Sequence, residues 1–458
     1  MESETPSLLT RRALLRSLAA PSLAATAGAL TAGCGPADRR KTIVRYWNGF
    51  TGPDGRTMLH MVQRFNAAHP DVQVVMQRMD WATYYNKLFV AGMGGRAPEV
   101  FVLQTHSIPR FAQASFVRPV DDLATNARDL DISDLDANVW QGVSVDGKHY
   151  GVPLDVWPMG MYYNRRLFRD AGVVDSRGEP KPPTDRAELM DALRRLTRPA
   201  AGGQPAQWGF VFTNFESNVY TLMRQFGGQF FTPDNEQCIL NSPHNVEALQ
   251  FCVDIIRRDH FAPPPENFDA WIGFRQGKAA IAFEGIYMLA DLEKQKDLDF
   301  SGAPIPLIGG TRAVWAGSHN VCMRADLQGR ELEAAWRFTT FLSNNSLDWA
   351  AGGQVPVRKS LRATARFAAM KVQSQFAKEI PYSVYLPRLP YIFEFQTEFN
   401  NAIEKALRAS ATPREALDKA AENINVIIRR QKQNGQAIAQ TERQDPRRVV
   451  ALGGSGAP

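Results

Sequence analysis

The sequence predicts an α/β fold built as two units. Three observations carry that prediction. Strand-like and helix-like patterns alternate from residue 42 to residue 104, and a second series of helical patterns interrupted by short apolar runs begins near residue 151. The chain also has 458 residues, 44% of them apolar, which is enough to fill two cores rather than one.

The first unit opens on "TIVRYW" (42–47), a β-branched and aromatic run that reads as a strand. "DGRTMLHMVQRFNAAHP" (54–70) follows, with Met58, Leu59, Val62 and Phe65 at the spacing of one helix face. "DVQVVMQRM" (71–79) alternates as a second strand, "TYYNKLFVAGMGG" (83–95) is a helix ending on glycines, and "PEVFVL" (98–103) is a third strand. This order is that of a doubly wound domain with a parallel sheet, whose ligands lie beyond the carboxyl ends of the strands. Trp47, Asp80, Trp81, Thr105 and His106 each follow a strand and are therefore candidate contacts.

The second unit begins at "GVPLDVWPMGMYYN" (151–164). Helical patterns follow at 184–197, 217–228 and 242–259, with strand-like "WGFVF" (208–212) and "KAAIAF" (278–283) between them. Thr184 is the expected N-cap of the first of these helices, with Glu188 in its first turn. Amphipathic helices are expected at 329–343, 396–410 and 413–433, and the Gly-rich remainder reads as a loose tail.

The N-terminus has its own logic. Arg11 and Arg12 precede an apolar stretch, Ala13 to Leu30, which is too rich in Ala, Ser, Gly and Thr to be a permanent span and is broken by Pro21. A charged start, an apolar centre and a small-residue end make a secretory signal. "TRRALLR" (10–16) resembles a twin-arginine export signal, with Leu14 where that signal prefers Phe. "LTAGC" (30–34) resembles a bacterial lipoprotein box, which implies cleavage before Cys34 and acylation of that cysteine. Each buried methylene of such an anchor contributes about 0.8 kcal/mol, so the mature chain is expected to be tethered outside the cytoplasm.

Loss of residues 1–33 leaves 50 basic and 45 acidic residues, a mild and dispersed excess that gives no basic stripe for nucleic acid. Beyond Cys34 the chain has Cys238, Cys252 and Cys322; an oxidising compartment permits one bridge, with Cys238 and Cys252 the nearest pair, but no disulfide scaffold. GxSxG, phosphate-loop and HExxH signatures are absent, and the seven histidines are scattered, so neither a catalytic motif nor a metal site nor a cofactor is expected. Asp80, Asp155 and Glu284 leave a glycosidase carboxylate pair open as a rival reading.

Aromatic residues beside polar ones at element ends are the strongest chemical signal. They occur at Trp47-Asn48, Asp80-Trp81, Asp155-Val156-Trp157, Glu284-Gly285-Ile286-Tyr287 and Trp315-Ala316-Gly317-Ser318. A sugar needs that combination, because its C–H faces pack on rings while its hydroxyls must be matched once water leaves.

"YWNGFTGPDGRTMLHMVQRFNAAHPDVQV", "LFVAGMGGRAPEVFVL", "VRPVDDL", "DGKHYGVPLDVWPMGMYYNRRLF", "FRQGKAAIAFEGIYML", "AAWRFTTFLSN" and "GGQVPVRKSL" occur in that order between residues 42 and 430. Together they resemble the family 1 extracellular solute-binding proteins, the maltose-binding-like and glycerol-phosphate-binding-like receptors of ABC importers. Glu99 stands where the family usually has Asp, and Tyr287 where Trp is commonest. The resemblance implies a periplasmic-binding-protein fold, two lobes with three hinge crossings, expected near Pro153, Gly302 and Asn344. It implies an N-lobe of 41–152 and 303–343 and a C-lobe of 153–302 and 344–435, which follow the signal peptide (1–33) and a short tether (34–40) and precede the flexible tail (436–458) read from the residues themselves. It places ligand contacts at Trp47, Asn48, Asp80, Trp81, Thr105, His106, Asp155, Trp157, Asn214, Glu216, Gly285, Tyr287, Trp315, Gly317, Ser318 and Arg358. The implied function is capture of a carbohydrate by a lipid-anchored monomer that delivers it to the transmembrane subunits of a permease. A glycerol-3-phosphate or glycerophosphodiester receptor, with Arg358, His106 and Ser318 as anion ligands, and a sensory lipoprotein are the alternatives.

Overall fold

The computed structural model describes residues 41–126, 129–201 and 206–444. The expected signal, the tether and Cys34 lie outside the described residues. Its strands are β1 (Thr42–Asn48), β2 (Val72–Arg78), β3 (Val100–Gln104), the small hairpin β4 (Ser144–Val145) and β5 (Lys148–His149), β6 (Val152–Pro153), β7 (Asp155–Asn164), β8 (Trp208–Val211), β9 (Ala279–Gly285), β10 (Phe300–Ala303), β11 (Val314–Gly317), β12 (His319–Met323), β13 (Val355–Pro356) and β14 (Ser383–Val384).

Two sheets organise two lobes. The first has the order β2-β1-β3-β12-β6, with β1 parallel to both β2 and β3 and with β12 antiparallel to β3 and β6. Its strands are covered on both faces. Val100 and Val102 join a core made with Met58, Phe65 and Phe338, whereas their neighbours Phe101 and Leu103 join a separate core with Tyr84 and Leu88. The period-2 alternation of strand side chains is what divides the residues between the two cores. Helices Pro53–Ala68 and Gly329–Asn344 serve the former and Trp81–Met93 the latter.

The second sheet runs β14-β11-β7-β9-β8, with β10 and β13 also paired to β7. All ten residues of β7 are buried, which explains why "DVWPMGMYYN" reads as a continuous apolar run rather than an alternating one. Helices Phe215–Gln225, Pro243–Arg257, Ile392–Leu407 and Pro413–Gln444 build the larger core around it. Among the described residues, no helix is long and apolar enough to cross a membrane.

The chain passes between the sheets three times. The first passage is at Leu154, between β6 and β7, one residue from the expected Pro153. The second is at Ser318 and not near Gly302: β10 and β11 both pair with β7, so 303–317 belongs with the second lobe. The third lies between Trp349, which is in the first lobe's core, and β13, beyond the expected Asn344. Asn344 only ends a helix; the passage turns through Gly353 at φ 116°, a left-handed geometry that glycine adopts without strain.

Two local expectations also shift, and the cysteine pairing left open by the sequence is settled. Asp185, not Thr184, caps helix Arg186–Leu196, accepting from the Glu188 amide at 2.9 Å, while Thr184 donates through its amide and hydroxyl to the Glu188 carboxylate. Helix Pro413–Gln444 runs past residue 435, where the tail was expected to start, because "QAIAQTERQ" is made largely of good helix formers. Cys238 and Cys252 are free and buried, so the permitted bridge is not formed.

Candidate functional site

A cavity of about 440 Å³ opens between the lobes. Six of the expected contacts line it: Trp81, His106, Trp157, Glu216, Tyr287 and Trp315. Each arrives by a local device. Asp80 caps helix Trp81–Met93, its carboxylate accepting from the Thr83 amide at 3.0 Å, and this sets Trp81 at the mouth of the first sheet. Asn214 caps Phe215–Gln225 in the same way, which places Glu216 in the first turn. Trp157 and Trp315 stand on the paired strands β7 and β11, with ring centroids 5.0 Å apart.

The rings rest on glycines. A Cβ at Gly49 would lie 2.2 Å from the Trp81 ring, one at Gly317 2.0 Å from Trp157, and one at Gly285 2.0 Å from Tyr287. Gly285 and Gly317 thus serve the site as seats for aromatic residues. His319, which sequence reasoning missed, joins the two walls: its ring stacks on Trp81 at 5.6 Å and 13° and tilts against Trp157 at 5.5 Å.

Polar groups lie among the rings. The Glu216 carboxylate accepts from Gln396 at 3.2 Å and Asn400 at 2.8 Å, and burial raises its pKa. Burial likewise raises Asp54, whose Oδ1 accepts from the Gly55 amide at 2.7 Å. Tyr287 donates to Glu284 at 2.9 Å. Burial pushes the His106 imidazole down to about 4, so it is neutral at pH 7. The indole N–H groups of Trp157 and Trp315 and the Oε1 of Gln354 are buried and take no protein partner. Neither Lys nor Arg is among the residues lining this cavity. Asp54, Gln104, Gln354 and Gln396 line it too and went unread in the sequence, because single polar residues carry no periodic or turn signal.

The other expected contacts lie elsewhere. Trp47 packs into the first lobe's second core, and Asn48 is buried with its Oδ1 accepting from the Phe50 amide at 3.2 Å. Thr105 and Ser318 meet at the second crossing, where the Thr105 amide donates to the Ser318 carbonyl at 3.2 Å. Asp155 is fully buried and occupied by three donors. Arg358 is 6% exposed and is not among the residues lining the cavity, its guanidinium reaching Asp134 at 3.5 Å and the Asp129 carbonyl at 3.4 Å. A carboxylate nearby draws the cation more strongly than an uncharged guest would. Asp80, a helix cap, and Asp155, a fully buried acceptor, are two of the three carboxylates of the glycosidase reading, and neither lines the cavity. A larger groove of about 710 Å³, bounded by Phe231, Tyr385 and Arg388, contains none of the expected contacts.

Comparison with known proteins agrees with this architecture. The chain is 21% identical over 383 residues to the maltotriose-binding protein of Pyrococcus abyssi, covering 79% of this chain and 77% of that one. It is 22% identical to the sn-glycerol-3-phosphate-binding periplasmic protein UgpB of Salmonella typhimurium, covering 85% and 93%. The sugar-binding protein MalE of Xanthomonas citri superimposes with a TM-score of 0.76 at 19% identity, over 86% of this chain and 99% of that one. An ABC substrate-binding protein of Listeria monocytogenes in complex with cycloalternan gives 0.73 at 22%, over 85% and 99%. The family model for the bacterial extracellular solute-binding proteins matches residues 51–347, and the chain belongs to that family.

Proposed function

We propose that this protein captures a carbohydrate between its lobes and delivers it, unaltered, to the permease of an ABC importer. The observation that carries the reading is the cavity itself, in which rings from both lobes enclose carboxylates and amides with neither Lys nor Arg among them. Rings suit the C–H faces of a sugar, and the carboxylates and amides suit its hydroxyls. A guest touching both lobes favours the closed state, because those contacts exist together only there. The relationship to UgpB keeps a glycerol phosphate in view, but Asp54 and Glu216 would oppose a dianion and neither Lys nor Arg lines the cavity to offset them.

A thermal-shift screen with maltose, maltotriose, cyclic glucans, polyols and glycerol-3-phosphate tests this. A sugar should raise the melting temperature and be recovered intact. Stabilisation by glycerol-3-phosphate alone, or hydrolysis of the sugar, overturns the reading. Export by a twin-arginine-like signal, monomeric state and anchoring through an acylated Cys34 complete the proposal. Cys34→Ala should move the protein from the membrane pellet to the soluble fraction; an unchanged pellet excludes the anchor.

A further inference from the structure

The three crossings converge on one side chain. Asp155 is the first residue of β7, directly after the first crossing, and its carboxylate is completely buried. Its Oδ1 accepts from the backbone amide of His319 at 2.8 Å, and His319 is the first residue after the second crossing. Its Oδ2 accepts from His319 Nδ1 at 2.8 Å and from Trp349 Nε1 at 2.6 Å, and Trp349 is the last residue before the third. A bare carboxylate in such a place is costly, and three converging donors are what make it tenable. Segments 164 and 194 residues apart from Asp155 are thereby fixed to one point.

The same point touches the cavity. With Nδ1 held by Asp155, the His319 ring lies between Trp81 of the first lobe and Trp157 of the second and lines the cavity beside them. The edge of Phe50 meets the ring at 4.9 Å, and Phe50 packs on Trp349 at 4.7 Å, so the cluster is continuous from cavity to hinge.

We propose that Asp155 is the pivot pin of the hinge, a positioning residue and not a solute contact, and that His319 is the contact through which an enclosed guest acts on it. This rests on the interlobe cavity being the solute site. A rotation of one lobe must move all three crossings together while they share the carboxylate. A guest that fixes the His319 ring between Trp81 and Trp157 fixes the pin, and closure becomes a single cooperative step rather than independent bending of three strands.

Asp155→Asn preserves size but sets an amide against hydrogen-bond donors, and Trp349→Phe removes one donor while keeping a ring. Both are titrated with maltotriose, and small-angle scattering follows the radius of gyration with and without it. The expected result is affinity weakened about tenfold by Asp155→Asn and about threefold by Trp349→Phe, with ligand-induced compaction reduced in the same order. A purely structural role would lower the melting temperature while leaving the affinity and compaction of the folded protein unchanged, and that outcome overturns the proposal. Should Asp155→Asn fail to fold, Trp349→Phe decides alone by the same criterion. Should maltotriose not bind the wild type, the sugar reading loses support, and the unliganded scattering decides the pin: both variants are expected to enlarge the radius of gyration, and unchanged curves refute it.

Discussion

The two walls of the cavity are built differently. On the second lobe, Trp157 and Trp315 stand on adjacent antiparallel strands of a sheet buried on both faces, and Tyr287 is tied to Glu284 one turn beyond β9. On the first, Trp81 opens a helix that Asp80 caps, and His319 opens β12, an interior strand paired to β3 and β6, with its ring bonded to Asp155. The sheet wall is fixed by ladder hydrogen bonds and ring-on-ring packing, so its geometry precedes the guest. The first wall is set instead by a helix cap at Asp80 and by the hydrogen bond from His319 to Asp155. We expect the second lobe to carry most of the affinity and the first to report closure.

The largest effect should therefore come from Trp157→Ala. Trp157 touches Trp315, Tyr287 and His319, and it sits on Gly317, so its loss opens both walls at once. Sugar affinity should fall by about 3 kcal/mol, roughly two orders of magnitude in Kd, measured by isothermal titration. A loss no greater than that of Trp81→Ala would erase the distinction between the walls.

The lobes differ also in their buried carboxylates. In the first, burial works to raise Glu99, but hydrogen bonds and charge from Arg45, with Arg324 at 2.9 Å, hold it below the usual range. In the second, burial lifts Glu379 to about 7, opposed only weakly by the Ile305 amide and the charge of Arg312. The signs are opposite. Glu99 contributes stability above the ordinary carboxylate range that is lost as pH falls through its lowered value. Glu379 keeps its proton in the fold where the unfolded chain has lost it, so stability declines as pH rises from about 4.5 to about 7. Glu379→Gln retains an acceptor for Ile305 and should recover about 2 kcal/mol at pH 8 while leaving pH 4 unchanged, read from denaturant unfolding. A variant with the wild-type pH profile would show that Glu379 is ionised without cost.

Trp81→Ala should weaken binding by about 1 kcal/mol, because His319 remains to cover part of the first wall. Its clearer mark is on closure: the compaction on adding sugar should shrink more than the affinity does. Equal loss of both, or loss of affinity without loss of compaction, would assign Trp81 to the same role as Trp157.

The elements of the fold were largely legible in the sequence, because amphipathic helices and strands announce themselves by period: Met58, Val62 and Phe65 are buried together as their spacing requires, whereas Leu59, expected on the same face, is exposed because it lies one residue, about 100°, round the helix from Met58. Four of the expected rings, Trp81, Trp157, Tyr287 and Trp315, do line the cavity, whereas Trp47, read from the same pattern, packs into a core. What failed was anything that depends on distant partners. Asp155 looked like a ligand contact because nothing nearby in the chain reveals that His319 and Trp349 will claim it. His319 and Gln396 went unread for the same reason, and the second crossing was misplaced because the pairing of β11 with β7 leaves no trace in local composition. Long-range hydrogen bonds decide these cases, and one-dimensional pattern does not carry them.

Arg358 is the sharpest instance, and it marks where the second wall ends. Its motif suggested a fork for vicinal hydroxyls or a phosphate, yet its guanidinium is committed to Asp134 and the Asp129 carbonyl, at the position where residue 358 bridges Leu135. Asp134 also accepts from the amide and hydroxyl of Ser360, so the arginine belongs to a cluster that straps 129–135 onto the second lobe. Arg358→Ala leaves that carboxylate two of its donors, and the cost should fall on folding, about 1–3 kcal/mol by denaturant titration, with sugar affinity changed by less than about 0.5 kcal/mol. An affinity loss comparable to that of Trp157→Ala would put Arg358 back in contact with the guest, and would require the strap to release its arginine when the lobes close.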